Sequence, residues 1–355
     1  MKVKKKHNFL KSIILLVFLL LATYLGALAL NQFNSNYEDL SSVDKQVLKE
    51  FEELSQSEKA KGDLWKNYDL CDKPLLFVNK KFNGYSYIVN PKKPISKLFA
   101  KEIKMPKEYS TTKIYRVSGF MPSIIKIKLI PGNFNTIGSK TSFLGSDVYY
   151  LKYNKENVFK KYSSDHFSPF LAHEAFHYYM QNNWANGDRF ANTLSENDIN
   201  LLANEYNVLT KISEELKKSK PKNLKLLTKE YVSSVEQRIK ANPEYMKKEL
   251  SVETAEGTAT YVGIKAAKIT NYDFGIMYFE NAKNIPFSDI IPTYKKGKLD
   301  KSLFVTRFPY DTGALLCFLC DKLSIPNWQE RLNKQTLEKP LNLYDILKEW
   351  TEKNK

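Results

Sequence analysis

The stretch His173-Glu174-Ala175-Phe176-His177 places two imidazoles four residues apart, with a carboxylate next to the first. On a helix, residues i and i+4 share a face with Cβ atoms roughly 5–6 Å apart, so both rings can reach one ion. This is the H-E-x-x-H pattern, in which paired histidines hold zinc and the glutamate between them handles protons. The chain has four histidines, the others being His7 and His166, so this spacing takes half of them. The competing reading is a pair of hydrogen-bonded histidines on a packed helix with no metal. A hydrolytic zinc site has three protein ligands and leaves the fourth position to water. The pattern therefore calls for a third ligand.

The best candidate is Glu256, in Glu253-Thr254-Ala255-Glu256-Gly257-Thr258-Ala259-Thr260-Tyr261. Glu196, nineteen residues after His177, is the second candidate. Glu205 is more remote and is expected on a solvated helix face. Glu253, one turn before Glu256, either orients a ligand or is an exposed helix charge. Tyr261 is expected to pack in the core. Arg307 is a weak candidate for a substrate carboxylate, and Asp311 has no assigned role. Cys317 and Cys320, three apart in an apolar helical run, are either a redox or second metal pair or two buried small residues, and the second fits better. Three cysteines are too few for a disulfide scaffold.

The segment Glu256-Gly257-Thr258-Ala259-Thr260-Tyr261 resembles the Glu-Gly-x-x-x-Tyr helix of the gluzincin metallopeptidases, the group containing thermolysin and the M1 aminopeptidases. In that group the glutamate before the glycine binds zinc. Pro309-Tyr310-Asp311-Thr312-Gly313 is similar to the Pro-Tyr-acid-x-Gly segment of the M1-type enzymes, whose tyrosine hydrogen-bonds the oxyanion. Three motifs stand in the family order over residues 145–325. The resemblance implies zinc on His173, His177 and Glu256, Glu174 as general base, Tyr310 as oxyanion stabiliser, and hydrolysis of a peptide or protein substrate. Two departures qualify it. M1-type enzymes place the third ligand about twenty residues after the second histidine, whereas Glu256 follows His177 by 79, so residues 185–245 are expected to form a helical insertion. The Gly-x-Met-Glu-Asn strand that grips a substrate amino terminus has no counterpart at Gly145-Ser146-Asp147-Val148-Tyr149-Tyr150. Endopeptidase action is thus at least as well supported as aminopeptidase action.

The elements that must position these groups are legible in outline. Ser168 suits an N-cap, Pro169 the first helical position and Asn186-Gly187 a stop for the motif helix, with Phe170, Leu171, Phe176 and Met180 as apolar flanks. Downstream, residues 194–217 and 224–240 have helical apolar periodicity. Asn242-Pro243 opens another helix towards Ala267, and residues 307–323 and 343–350 supply two more. Upstream, Leu75-Leu76-Phe77-Val78 and Tyr85-Ser86-Tyr87-Ile88-Val89 flank the turn signal Asn83-Gly84. Residues 124–130 and 148–153 read as further strands. Residues 41–61 read as an exposed amphipathic helix. Strands first and helices after imply an α+β arrangement: a basic β-rich region over 63–160, then a mainly helical region over 161–355.

The charge is large, +16, and uneven, with 18 Lys and Arg against four Asp and Glu over residues 73–161. Such a face could meet nucleic acid, anionic lipid or an acidic envelope polymer. The N-terminus excludes nucleic acid. Residues 1–11 hold five lysines, and Ser12–Leu30 is a run of 19 residues with no charge. Basic then apolar, and close to the roughly 20 residues a spanning helix needs, this implies a single-pass anchor with the lysines cytoplasmic and the body outside. The expected layout is a basic tail (1–8), an anchor (9–30), a helical juxtamembrane segment (31–62) and the body. Ala27-Leu28-Ala29 also resembles a signal-cleavage site, and cleavage after Ala29 would release the protein. A second functional class remains open: an envelope protein without activity, whose basic β region binds anionic polymer or lipid and whose zinc site is structural or relict.

Overall fold

A computed structural model describes residues 2–33, 36–61, 64–109, 112–185 and 194–354. The chain divides into two compact units, residues 1–61 with 71–159, and residues 62–70 with 160–355.

The first unit contains helix α1 (Lys2–Asn31), helix α2 (Ser42–Lys61), strands β1 (Leu75–Asn79), β2 (Ser86–Val89), β3 (Lys101–Glu102) and β4 (Ile114–Val117), helix α3 (Pro122–Leu129), strands β5 (Thr141–Phe143) and β6 (Ser146–Tyr153), and a single turn α4 (Glu156–Phe159). The strands form one sheet in the order β3-β4-β2-β1-β6-β5. Strands β1 and β6 are parallel, and all other pairings are antiparallel. Every residue of β1 is buried, as expected for a central strand covered on both faces. On one face α2 packs Phe51 edge-on against Phe77, with ring centroids 5.3 Å apart. Its Asp44 accepts from Asn79 Nδ2 at 2.9 Å and from the Tyr153 hydroxyl at 2.6 Å. On the other face Leu76, Val78, Ile88 and Val117 form a cluster with Ile124 and Ile127 of α3 and Ala27 of α1.

Two sequence expectations change here. Residues 41–61 do form a helix, opened by Ser41, whose hydroxyl accepts from Asp44 N. That helix is no exposed leader, because Val47, Leu48, Phe51 and Leu54 are fully buried. Residues 124–130 do not form a strand. Pro122 takes the first turn of a helix, and the buried pair Ile124 and Ile127 is spaced for a helix face, not for a pleat.

The second unit is helical: α5 (Phe167–Met180), α6 (Glu196–Leu216), α7 (Leu224–Ala241), α8 (Pro243–Ile269), α9 (Ile290–Lys295), α10 (Leu303–Thr306), α11 (Phe308–Lys322), α12 (Trp328–Asn333) and α13 (Leu343–Lys353). Helix α8 is its axis, buried around most of its circumference and packed by α5, α7, α11 and α13. Asn242 caps it, its side chain accepting from Tyr245 N at 3.4 Å, and Pro243 follows in the first turn. Helix α5 starts two residues earlier than the sequence implies, with His166 rather than Ser168 at the N-cap, and ends at Met180. The stop expected at Asn186-Gly187 lies outside the described residues. Behind α5, Trp65 packs edge-on against Phe176 at 5.0 Å and against Trp328 at 5.0 Å, while Trp184 meets Phe176 at 6.0 Å. This aromatic cluster fixes the side of α5 that carries no histidine.

Helices α6, α7 and α8 are tied by a buried ion network. Arg238 donates to Glu205 at 2.8 Å and to both oxygens of Glu249 at 2.6 and 2.9 Å. Glu205 is therefore a buried structural charge, not a residue on a solvated face. Removing one partner of such a network leaves an uncompensated buried charge, a loss of about 3–5 kcal/mol.

Candidate metal centre

Helices α5, α8 and α11 bring the candidate residues together. His173 and His177, one turn apart on α5, point their Nε2 atoms at each other 3.1 Å apart. Glu256 of α8 reaches in between, with Oε2 at 3.0 Å from His177 Nε2 and 3.4 Å from His173 Nε2. Two oxygen or nitrogen ligands about 2.0–2.1 Å from a tetrahedral zinc lie ~3.3 Å apart, which the three separations match. Among the described residues, this is the group of histidine, cysteine and acidic side chains whose donor atoms converge closely enough to hold a metal ion. Glu196 does not join it. That residue is exposed in the first turn of α6, where Ser195 and Asp198 form a capping box.

The outward ring nitrogens of both histidines are also engaged. Gln181, the residue that caps the C-terminus of α5 four positions after His177, places Oε1 2.6 Å from His177 Nδ1. The Gln181 amide cannot be turned round, because its Nε2 donates to Ala255 O at 2.8 Å and to Thr258 Oγ1 at 2.9 Å. Its oxygen must then accept from His177 Nδ1–H. In the neutral ring this leaves a lone pair on Nε2, aimed at a carboxylate oxygen 3.0 Å away. Two acceptors so placed repel unless a cation sits between them, either a metal or a proton. Without metal the proton takes that place. Burial works against a charged His177, but Glu256, Glu174 and Gln181 outweigh it and push the ring up to about 9. Glu256 is held far below the usual carboxylate range: burial opposes this, and His177 with His173 overcomes it. His173 Nδ1 lies 3.4 Å from Thr260 Oγ1, one turn after Glu256 on α8. Neither Gln181 nor Thr260 stands out in the sequence. The available signal is spacing alone, since Gln181 extends the 173–177 face by another four residues and Thr260 does the same from Glu256.

Beside the triad lies a cleft of about 250 Å³ lined by His173, Glu174, Thr260, Phe274, Arg307 and Tyr310 among others. Burial raises the Glu174 carboxyl above its ordinary value, against the pull of both histidines. Such a shift moves a carboxylate towards the range useful for a general base. The Tyr310 ring lies parallel to His173 at 2°, with centroids 6.0 Å apart. Arg307 donates to Tyr278 O at 3.0 Å and pairs with Asp311 at 3.2 Å. Asp311 is buried and accepts from Met277 N at 2.7 Å, so it anchors the segment between α8 and α9 to α11. A second cavity, of about 610 Å³, holds none of the triad but shares the wall residue Phe274 with the cleft.

The remaining candidates are structural. Glu253 is buried and accepts from the Thr312 and Tyr231 hydroxyls. Tyr261 is buried between Trp65 and Trp328 and donates to Asp321 at 2.5 Å. Cys317 and Cys320 are fully buried free thiols.

Compared with protein-family models, curated proteins and solved structures, the chain shows no significant match.

Proposed function

We propose that the chain is a membrane-anchored, zinc-dependent peptidase whose body lies outside the cytoplasm. The observation that carries this reading is the convergence of His173, His177 and Glu256 on one point. The ring nitrogens facing away are already engaged by Gln181 and Thr260, and Glu174 and Tyr310 line the adjoining cleft. The donor set, two imidazoles and one carboxylate leaving a position open, suits catalytic zinc. Zinc held there would supply Lewis acidity, lowering the pKa of a water from 15.7 towards about 7. Glu174, spare as a ligand, takes the proton from the attacking water and passes it to the leaving amine. Tyr310 donates its hydroxyl to the oxygen on which negative charge develops. Arg307 is held by Asp311 and Tyr278 O, which argues against a free substrate clamp.

The anchor reading is supported by how α1 ends. Residues 11–31 are long and apolar enough to cross a membrane, with mean hydropathy 2.7, and a signal sequence would pass the same test. Yet Ala27 is fully buried in the sheet cluster, with Tyr24 and Leu28 packed against it. Asn31 donates to Phe99 O at 2.7 Å and accepts from Ser118 N at 2.6 Å, and Arg116 donates to Phe33 O at 2.7 Å. Cleavage after Ala29 would leave the Asn31 and Phe33 bonds in place but strip Tyr24, Ala27 and Leu28 from the sheet cluster.

Elemental analysis of the full chain, purified without chelator, tests the metal half of this reading. One zinc per chain is expected, lost in Glu256→Gln and kept in Glu196→Gln. No stoichiometric zinc, or the reverse pattern, would overturn it.

A further inference from the structure

Helix α3 carries an apolar surface that the sheet does not use. While Ile124 and Ile127 face the core, Leu129 is 79% exposed and Ile130, Pro131 and Ile125 lie beside it. The β1–β2 loop adds Phe82, 73% exposed. That loop is tied to α3 by Lys128, whose Nζ donates to Lys81 O at 2.8 Å and Phe82 O at 3.0 Å. A contiguous exposed apolar patch on a folded unit marks an interaction surface.

What covers it follows from α1. Ile125, Leu129 and Ile130 share a groove of about 540 Å³ with Leu20 and Thr23 of α1. Leu20 lies within the uncharged run of 19 residues, ten residues before its end. That run spans about 28 Å as a helix, close to the ~30 Å of hydrocarbon it would have to cross, so it has no length to spare. If α1 spans a bilayer, Leu20 is well inside the hydrocarbon, and residues sharing a groove with it cannot stand clear of the membrane. The last turns of α1 are covered by the first unit itself, since Ala27 packs on the sheet. The unit must therefore sit against the leaflet.

We propose that α3 and the Phe82 loop dip into the leaflet from which α1 emerges, with lipid acyl chains filling the α1–α3 groove. Lys126, exposed on α3 at this groove, can carry its ammonium along its aliphatic stem towards the headgroup phosphates. The first unit is then a surface-embedded platform rather than a body on a free tether. The proposal rests on the anchor reading, and its test separates the two.

Full-length chain is reconstituted in vesicles of phosphatidylcholine and phosphatidylglycerol, with an environment-sensitive fluorophore on Leu129→Cys or, separately, on Val17→Cys within α1. The native cysteines are buried, so labelling falls on the introduced thiol. Lipids bearing a nitroxide near the top of the acyl chain are expected to quench Leu129→Cys, with blue-shifted emission relative to detergent. Quenching at Val17→Cys without any at Leu129→Cys would overturn the embedded platform and leave the anchor standing. No quenching at either position by nitroxides at any depth would overturn both.

Discussion

Gly257 and Gly313 face each other across the crossing of α8 and α11, so closely that a Cβ on Gly257 would lie 2.4 Å from Gly313 Cα. The same contact would bring a Cβ on Gly313 to 2.0 Å from Glu253 O. Each glycine belongs to one of the two downstream motifs, next to Glu256 in one and three residues after Tyr310 in the other. Their pairing lets the carboxylate of Glu256 on α8, close to both histidines, and the cleft-lining Tyr310 on α11 stand side by side. A third glycine repeats the device on the other side of α8, where a Cβ on Gly263 would meet Pro169 O of α5 at 2.9 Å.

Gly257→Ala should therefore damage both fold and site. The clash is with backbone, which cannot swing aside, and overpacking of this kind costs about 1–3 kcal/mol or more. Urea unfolding should show that loss. Separating α8 from α11 by about 1 Å should also cut turnover on the order of 10²-fold. A variant as stable and as active as the parent would mean the helices can part freely.

Gln181→Met removes the acceptor for His177 Nδ1–H and the fixed amide behind it, while keeping similar volume. Loss of a group that orients a metal-bound histidine typically costs 10–100-fold in affinity. A zinc competition titration should show a loss of that size. Unchanged affinity would mean the His177 tautomer is set by something else.

Glu253 gives the metal-free protein a pH dependence of known sign. Burial, followed by the charge of Glu205, pushes its carboxyl from an ordinary 4.5 up to about 8. Between those values the folded state holds a proton that the unfolded state has released, so stability falls as pH rises from about 4.5 to 8. Thermal unfolding of the chelator-treated protein should show the melting temperature declining across that window. Glu253→Gln, which cannot ionise, should flatten the decline. An equal decline in the variant would place its origin elsewhere.

In the proposed mechanism, Tyr310→Phe deletes the one hydroxyl that meets charge present only in the transition state. It should lower kcat and kcat/KM together, by about 10²–10³-fold or 3–4 kcal/mol, with zinc content unchanged. An unchanged kcat would reduce Tyr310 to a ring packed beside His173.

The chemistry-bearing residues were easier to read from the sequence than the scaffold around them, for a physical reason. Two histidines at helical spacing stand out by themselves, whereas Glu256, 79 residues after His177, stands out only through the resemblance of Glu256-Gly257 and Tyr261 to the gluzincin helix, and the fold brings all three within reach of one another. Support is provided by whatever side chain can reach, so Gln181, Thr260 and the pair Gly257 and Gly313 gain meaning only once the helices are packed. Residues 124–130 alternate Ile and Lys as a strand would, yet Ile124 and Ile127 fit the sheet face only as a helix. Glu205 looks solvated because its partner Arg238 stands 33 residues away on another helix. Helix α2 looks exposed for the same reason, since charges crowd its sequence while the apolar face that the sheet covers is narrow.

The most direct test of the peptidase assignment is a digest of a mixed peptide library by the zinc-loaded full chain, read by mass spectrometry and run beside Glu174→Gln. Glutamine keeps the size and hydrogen bonding of Glu174 but cannot accept the proton from water. New peptide termini are expected with the parent protein and none with Glu174→Gln, although both carry one zinc per chain. A zinc-loaded parent that cleaves nothing, or a Glu174→Gln variant that cleaves as well as the parent, would contradict it.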